Sequence, residues 1–422
     1  MKNVTYPLMA RVRQPLYTST LRNVEEAVRQ ALQACPEIGQ PANGAAIALT
    51  VGSRGIDAID RITAACIEFF RDLGCLPFIV PAMGSHGGAT PQGQEKVLAG
   101  LGITPATMGV PVRSDMAVTA VGRLSCGMNI FVARQALAAD YIFPINRVKP
   151  HTKFIADIES GLAKMLTVGL GKAEGATEIH RYAVGHTFDV IRRAAAHIIN
   201  ACPVLGGLAI LEDGHGRAAR LAAVPASRLI EEEKKLLAEA YKHMARIPFD
   251  GVDVLIVDQI GKDISGIGMD SNVTGRHRDI TGDFFVAPHV KRIFVRHLSP
   301  ASDGNANGIG LADFTTTRLV KAMDRDKTMI NALAAISPEK AAVPMAFETD
   351  REAILAAARS CGLEGPERAR IIRIKSTRQL ETLMVSRAFE ADIRENRSLS
   401  LIGDWTPMAF DDQGNLSGGT EG

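Results

Sequence analysis

Three times in the first 153 residues a short apolar run ends in a polar loop marked by glycine or proline, and this recurrence constrains the fold most. Residues 45–51 (AAIALTV) read as a strand, Gly52-Ser53-Arg54-Gly55 as a loop, and residues 57–70 as an amphipathic helix. The pattern repeats at once. Residues 77–83 (PFIVPAM) form a second strand, Gly84-Ser85-His86-Gly87-Gly88 a second loop, and Thr90-Pro91 the N-cap and first position of a helix reaching about Leu98. A third strand, 140–145 (DYIFPI), ends in Asn146-Arg147-Val148-Lys149-Pro150-His151-Thr152-Lys153. Strand, loop and helix in succession require parallel pairing with helical crossovers. In open sheets of that kind ligands bind beyond the carboxyl ends of the strands, which is where Arg54 and His86 are expected to project.

The same alternation continues. A helix is expected over 157–166, then a glycine-punctuated stretch, a helix over 187–201, a strand over 207–211 and a charged helix over 226–246. Ile247-Pro248-Phe249-Asp250-Gly251 ends that helix just before a new strand at 252–257, and so divides the chain into domains 1–247 and 248–422. A length of 422 residues suits two domains at roughly 100–200 residues each. The second carries strand candidates at 292–295 and 370–374 and helix candidates at 316–323, 326–334 and 351–360; its polar tail from about 411 reads as frayed. The fold class is therefore α/β: two α/β domains with mostly parallel sheets and a ligand cleft between them.

Composition serves mainly to exclude. With 46% hydrophobic and 22% charged residues and a formal charge of +2, the chain fits neither a disordered segment nor a polycationic nucleic-acid binder. No apolar run reaches the ~18 residues of a membrane span, and MKNVTYPLMARVRQ lacks the apolar centre of a secretory signal. A cytoplasmic protein without nucleic-acid or membrane partners is the expectation. Six cysteines without a C-x-x-C pair argue against a zinc ribbon or a disulfide scaffold.

No common catalytic motif fits. Gly169-Leu170-Gly171-Lys172-Ala173-Glu174-Gly175 has the wrong glycine spacing for a dinucleotide fingerprint, and Ala173 stands where a P-loop needs Ser or Thr. There is no H-E-x-x-H and no G-x-S-x-G. What remains is a set of polar residues at successive strand ends. Arg54 can grip a carboxylate or phosphate with a bidentate fork. His86, among glycines, and His151, after Pro150, have the pKa for proton transfer near neutrality. Each alone also reads as an ordinary loop residue; their convergence on one sheet edge favours a site.

In order along the chain, Gly52-Ser53-Arg54, Gly84-Ser85-His86, Pro150-His151 and Gly161-Leu162-Ala163-Lys164, followed by Gly169 and His180, resemble the lactate racemase family. The interval of 16 residues from Lys164 to His180, with Gly169 five residues after the lysine, is similar to that family's spacing. The resemblance implies a nickel-pincer nucleotide joined covalently to Lys164, with His180 ligating nickel and Ser53 and Gly169 contacting the cofactor. It implies Arg54 as a substrate-binding residue and His86 and His151 as two acid/bases on opposite sides of a 2-hydroxy acid. Sulfur donors with one imidazole suit square-planar Ni(II). Cofactor-synthesis proteins become expected partners. Lys172 competes with Lys164, but it lies in a glycine-flanked turn where its ammonium reads as solvated.

Domain 1–247 would then hold cofactor and bases, and domain 248–422 would complete the substrate cleft. There the loop from Gly261 to Arg276 supplies Lys262 and Arg276 as candidate partners of a substrate carboxylate. Two departures bear on substrate: Val51 stands where the family carries Asp, and the family's aromatic and Gln/Lys pattern is not visible in the second domain. They imply a racemase or epimerase of another 2-hydroxy acid, such as a sugar acid. Two other functions stay open on the residues alone. One is a divalent-metal hydrolase or lyase using His86, His151 and Asp213 or His215; the other is an anion- or nucleotide-binding protein using Arg54, Arg147 and Lys149.

Overall fold

The structure, a computed structural model, describes residues 4–19, 21–53 and 55–419. It divides into two compact units. One contains residues 17–151 and 155–244; the other contains the described residues up to Leu16, residues 152–154 and the chain from Ala245 onward. Strand β1 (Leu8–Arg13) therefore belongs with the C-terminal unit, whereas the sequence reading assigned all of 1–247 to the first domain.

The N-terminal unit is built on a five-stranded sheet. Its strands are β2 (Ala46–Val51), β3 (Leu76–Pro81), and, after the hairpin β4 (Val118–Arg123) and β5 (Asn129–Ala133), β6 (Tyr141–Arg147), β7 (Gly206–Glu212) and β8 (Ala218–Pro225). The sheet order is β3-β2-β6-β7-β8, parallel except for β8. A central parallel strand is covered on both faces, and β2 accordingly buries nearly its whole length as a continuous apolar run.

The helices of this unit are α1 (Val24–Gln33), α2 (Ile59–Asp72), α3 (Pro91–Gly100), α4 (Pro105–Met108), α5 (Arg134–Leu137), α6 (Leu162–Lys164), α7 (Lys172–His186), α8 (Asp189–Ala201) and α9 (Leu229–His243). Val28 and Leu32 of α1 and Ile62, Cys66 and Phe70 of α2 pack with Ile47, Leu49, Phe143 and Leu208 of the sheet in one core. Thr90 caps α3 as its sequence predicts, its side chain accepting from Gly93 N–H, with Pro91 at the first position.

Two expectations fail here. The helix expected over 157–166 begins only at Leu162, with the single turn α6 running on into Met165–Gly169, and Glu159 turns its side chain back onto the loop that precedes it. Conversely, the glycine-punctuated stretch contains α7, a helix of 15 residues. Its buried stripe, Lys172, Gly175, Ala176, Ile179 and Ala183, has helical spacing but contains one large aliphatic residue, Ile179, among small residues and a lysine.

The C-terminal unit holds an eight-stranded sheet. Its remaining strands, apart from the short pair β10 (Arg276–His277) and β11 (Phe284–Phe285), are β9 (Val252–Ile260), β12 (Val290–Leu298), β13 (Phe314–Thr316), β14 (Met345–Phe347), β15 (Ile371–Ile374), β16 (Thr382–Ser386) and β17 (Ser400–Pro407). The order is β14-β13-β12-β9-β15-β16-β1-β17, parallel from β14 to β15 and antiparallel beyond.

The tail is not frayed as far as it is described. Leu416 N–H donates to Asp350 Oδ2 at 2.9 Å, Arg296 donates to Leu416 O at 2.9 Å, and Arg373 donates to Gly418 O at 2.8 Å. Buried arginines need acceptors, and the tail's carbonyls supply them. Residues 420–422 lie outside the described residues. Within the described residues no helix is long and apolar enough to cross a membrane.

Candidate active site

The carboxyl ends of β2, β3 and β6 carry the polar residues that the sequence singles out. Arg54, which follows β2, lies outside the described residues. Its neighbour Ser53, expected to contact cofactor, places its hydroxyl against Nδ1 of His86, in the loop after β3. A partner on Nδ1 couples the tautomer and ring orientation of His86 to that hydroxyl. The loop's backbone needs glycine: Gly84, Gly87 and Gly88 have φ of +60°, +67° and +66°.

Beyond β6 the chain leaves and returns as a loop closed by pairing of Lys149 with Ser160. The Glu159 carboxylate holds it from inside, accepting from the backbone N–H of His151 and of Ala156 and from Tyr241 Oη at 2.9 Å. Burial raises the pKa of Glu159 despite these donors. His151 is thus fixed at its backbone, and its Nε2 lies 2.6 Å from Lys164 Nζ.

Lys164 ends α6, where the helix widens into a five-residue π-turn, Met165–Gly169. Such turns recur at functional sites. The start of α6 is held by Glu233, whose buried carboxylate accepts from Ala163 N–H at 2.9 Å; burial pushes its pKa up to about 7 against the backbone donors Ala163 and Leu162. Gly169, expected at the cofactor, is buried against the end of β3. A Cβ there would lie 2.7 Å from Ala82 O, and its own carbonyl accepts from Gly84 N–H at 3.1 Å. It packs the π-turn closely against the His86 loop.

His180 lies two turns into α7, half-buried beside the apolar stripe, not in the loop that its glycine-rich surroundings suggest. The buried ring of Phe188 connects it to the rest: ring centroids are 6.1 Å from His180 and 6.3 Å from His151. His151 and His180 therefore both face one phenylalanine, and Lys164 reaches His151. An amine, an imidazole base and a second imidazole in this arrangement fit a lysine-linked, histidine-ligated nickel cofactor in their donor chemistry.

Lys172 corrects its expectation most clearly. Its side chain is fully buried rather than solvated, and burial lowers its pKa to about 8, with Asp115 acting weakly the other way. Its flanking glycines mimic an exposed turn in the sequence, which hides a buried helix start.

In the C-terminal unit, Lys262 donates to Gly266 O within its own loop at 2.8 Å. Arg276 pairs with Asp313 at 2.5 Å and donates to Leu311 O and Lys291 O. Its guanidinium is occupied in holding β10. A cluster missed in the sequence is Asp279, whose carboxylate meets His277, Lys340, Lys153 and Ser337. Burial alone would raise that carboxyl, yet the His277 hydrogen bond and the lysines pull it far below the usual range.

The divalent-metal alternative gains nothing: among the described residues no three His, Cys, Asp or Glu side chains converge. Asp213 instead accepts from the N–H groups of His215 and Arg217 and pairs with the Arg217 guanidinium. The anion-binding alternative loses Arg147, which forks onto Glu212 at 2.6 Å.

No protein-family model matches the chain, and no curated protein matches it. Among solved structures it is similar to the lactate racemase apoprotein from Thermoanaerobacterium thermosaccharolyticum, with 13% identity over 92% of each chain and a TM-score of 0.50. At that identity the likeness shows a shared α/β fold.

Proposed function

We propose that the protein is an isomerase: a racemase or epimerase of a 2-hydroxy acid other than lactate. The observation that carries this reading is that His151 and His180 both face Phe188 while Lys164 reaches His151, with His86 held by Ser53 at the neighbouring strand end. Lys164 would hold a nickel-pincer nucleotide covalently and His180 would ligate its nickel; bound there, that group supplies a reversible hydride acceptor.

The chain's own residues do the rest. One histidine takes the substrate hydroxyl proton at a ring nitrogen as the adjacent carbon becomes planar, and the other returns a proton for the opposite configuration. Two bases are required because the enantiomers present their hydroxyls in different directions. Ser53 orients His86, while Glu159, itself held by the Tyr241 hydroxyl, accepts from the backbone of His151, so both imidazoles are positioned before substrate arrives. Arg54 and Lys262 are the cations proposed for the carboxylate. With a net charge of +2, attraction for an anion comes from such local groups rather than from long-range steering. Val51 in place of an acidic residue is the reason for placing lactate outside the substrate range.

The test is a panel of single-enantiomer 2-hydroxy acids given to protein produced together with cofactor-synthesis proteins, in deuterated water. Conversion to the other configuration with the original carbon-bound hydrogen retained is expected. Wash-in of solvent deuterium would replace hydride return with deprotonation, and no conversion of any acid would overturn the isomerase reading.

A further inference from the structure

A buried ammonium normally meets a carboxylate, and Lys172 does not. Among the described residues its Nζ donates only to neutral oxygens, Pro81 O at 2.6 Å and Gln94 Oε1 at 2.8 Å. Burying a charge without an ionic partner is unfavourable. Lys172 also has φ of +53°, the left-handed region that side chains rarely adopt. Two unfavourable features at one residue call for a gain elsewhere in the molecule.

The gain lies in what the two acceptors hold. Pro81 is the last residue of β3, five residues before His86. Gln94, on α3, is itself fully buried, and its Nε2 donates to Gly84 O at 2.9 Å and to His86 O at 3.4 Å. An amide has one acceptor end and one donor end. Because the ammonium can only donate, it settles the orientation of the Gln94 amide and turns the NH2 toward the His86 loop. Lys172 is moreover the first residue of α7, and His180 follows on the same face at two intervals of four.

We propose that Lys172 is a positioning residue for His86: through Gln94 and Pro81 it clamps the backbone of the Gly84–His86 loop and ties that loop to the start of the helix carrying His180. Ser53 fixes the imidazole from one side, and the Lys172–Gln94 pair fixes the backbone from the other. The assignment of His86 and His180 to catalysis and nickel rests on the proposed function; the clamp itself does not.

Two variants test it. Lys172→Met removes the donor, whereas Gln94→Glu keeps an acceptor for Lys172 and removes both amide donors. Amide hydrogen exchange of the cofactor-free protein is read over residues 84–90. Both variants are expected to exchange there at least tenfold faster, with α8 and the C-terminal unit unchanged. In loaded enzyme kcat is expected to fall at least tenfold, with KM within about twofold and the lysine adduct intact. Unchanged exchange of this loop in folded Gln94→Glu overturns the clamp, and Gln94→Glu decides alone if Lys172→Met does not fold. A loosened loop in a protein whose wild type racemises nothing keeps the clamp and removes the racemase reading.

Discussion

His86 shows how little of a site's working parts a motif contains. Gly84-Ser85-His86 announces a loop histidine, but the group that orients its ring comes from a loop 33 residues earlier and the groups that hold its backbone from α3 and α7. A single hydrogen bond of this kind contributes about 1 kcal/mol, so Ser53→Ala is expected to slow turnover roughly two- to tenfold without lowering thermal stability appreciably. Steady-state kinetics with a melting curve checks this; a loss of stability with unchanged kcat would make Ser53 structural.

Glu233 gives a pH prediction. Its folded pKa of about 7 lies above the ordinary 4.5, so the folded state holds the proton more tightly than the unfolded chain. The stability this supplies is complete below about pH 4.5 and is lost as pH rises through 7. Its size is on the order of 3 kcal/mol. Glu233→Gln keeps an acceptor for Ala163 N–H and cannot ionise, so its melting temperature should fall less than that of the wild type between pH 5 and 8. Parallel curves would contradict the assignment.

At the level of elements, the sequence was legible wherever apolar residues made a continuous run or a wide stripe. Strands β2, β3, β6, β7 and β9 and helices α2, α8 and α9 appear within a few residues of expectation, because each buries large aliphatic side chains on a regular period, and α3 because Thr90-Pro91 marks its start. Helix α7 was illegible for the opposite reason: apart from Ile179 its buried face is glycine, alanine and a lysine that no periodicity scale counts as core. The single turn α6 with its π-turn was equally hidden, since glycine spacing does not reveal which carbonyl Gly169 must approach. Gly169→Ala puts a Cβ 2.7 Å from Ala82 O and should cost about 1–3 kcal/mol by overpacking while displacing the π-turn. Chemical denaturation measures the cost, and a neutral result would mean that the turn yields freely.

Over the whole molecule, the order of residues predicted two α/β units but not which chain segments compose them. Strand β1 pairs with β16 and β17 from the far end of the sequence, and residues 152–154 belong with the C-terminal unit. Pairings of such long sequence separation leave no local trace. The tail behaves likewise: its polar glycine-rich composition reads as frayed, yet Arg296, Arg373 and Asp350 hold it through buried charge-assisted hydrogen bonds. Asp350 also pairs with Arg318, so Asp350→Ala takes a buried acceptor from Arg296, which keeps Asp258, and from Arg318 and Leu416 N–H, and should destabilise the C-terminal unit by about 1–3 kcal/mol. Hydrogen exchange should rise across residues 411–419 and β12 in that variant, while the N-terminal unit keeps wild-type protection.

Whether this fold carries the chemistry proposed for it depends above all on Lys164. The direct measurement is the intact mass and nickel content of protein produced with cofactor-synthesis proteins, for wild type, Lys164→Ala and Lys172→Met. An added mass with bound nickel is expected in wild type and Lys172→Met and absent in Lys164→Ala. No adduct in the wild type, or one that survives in Lys164→Ala, would contradict the proposed function.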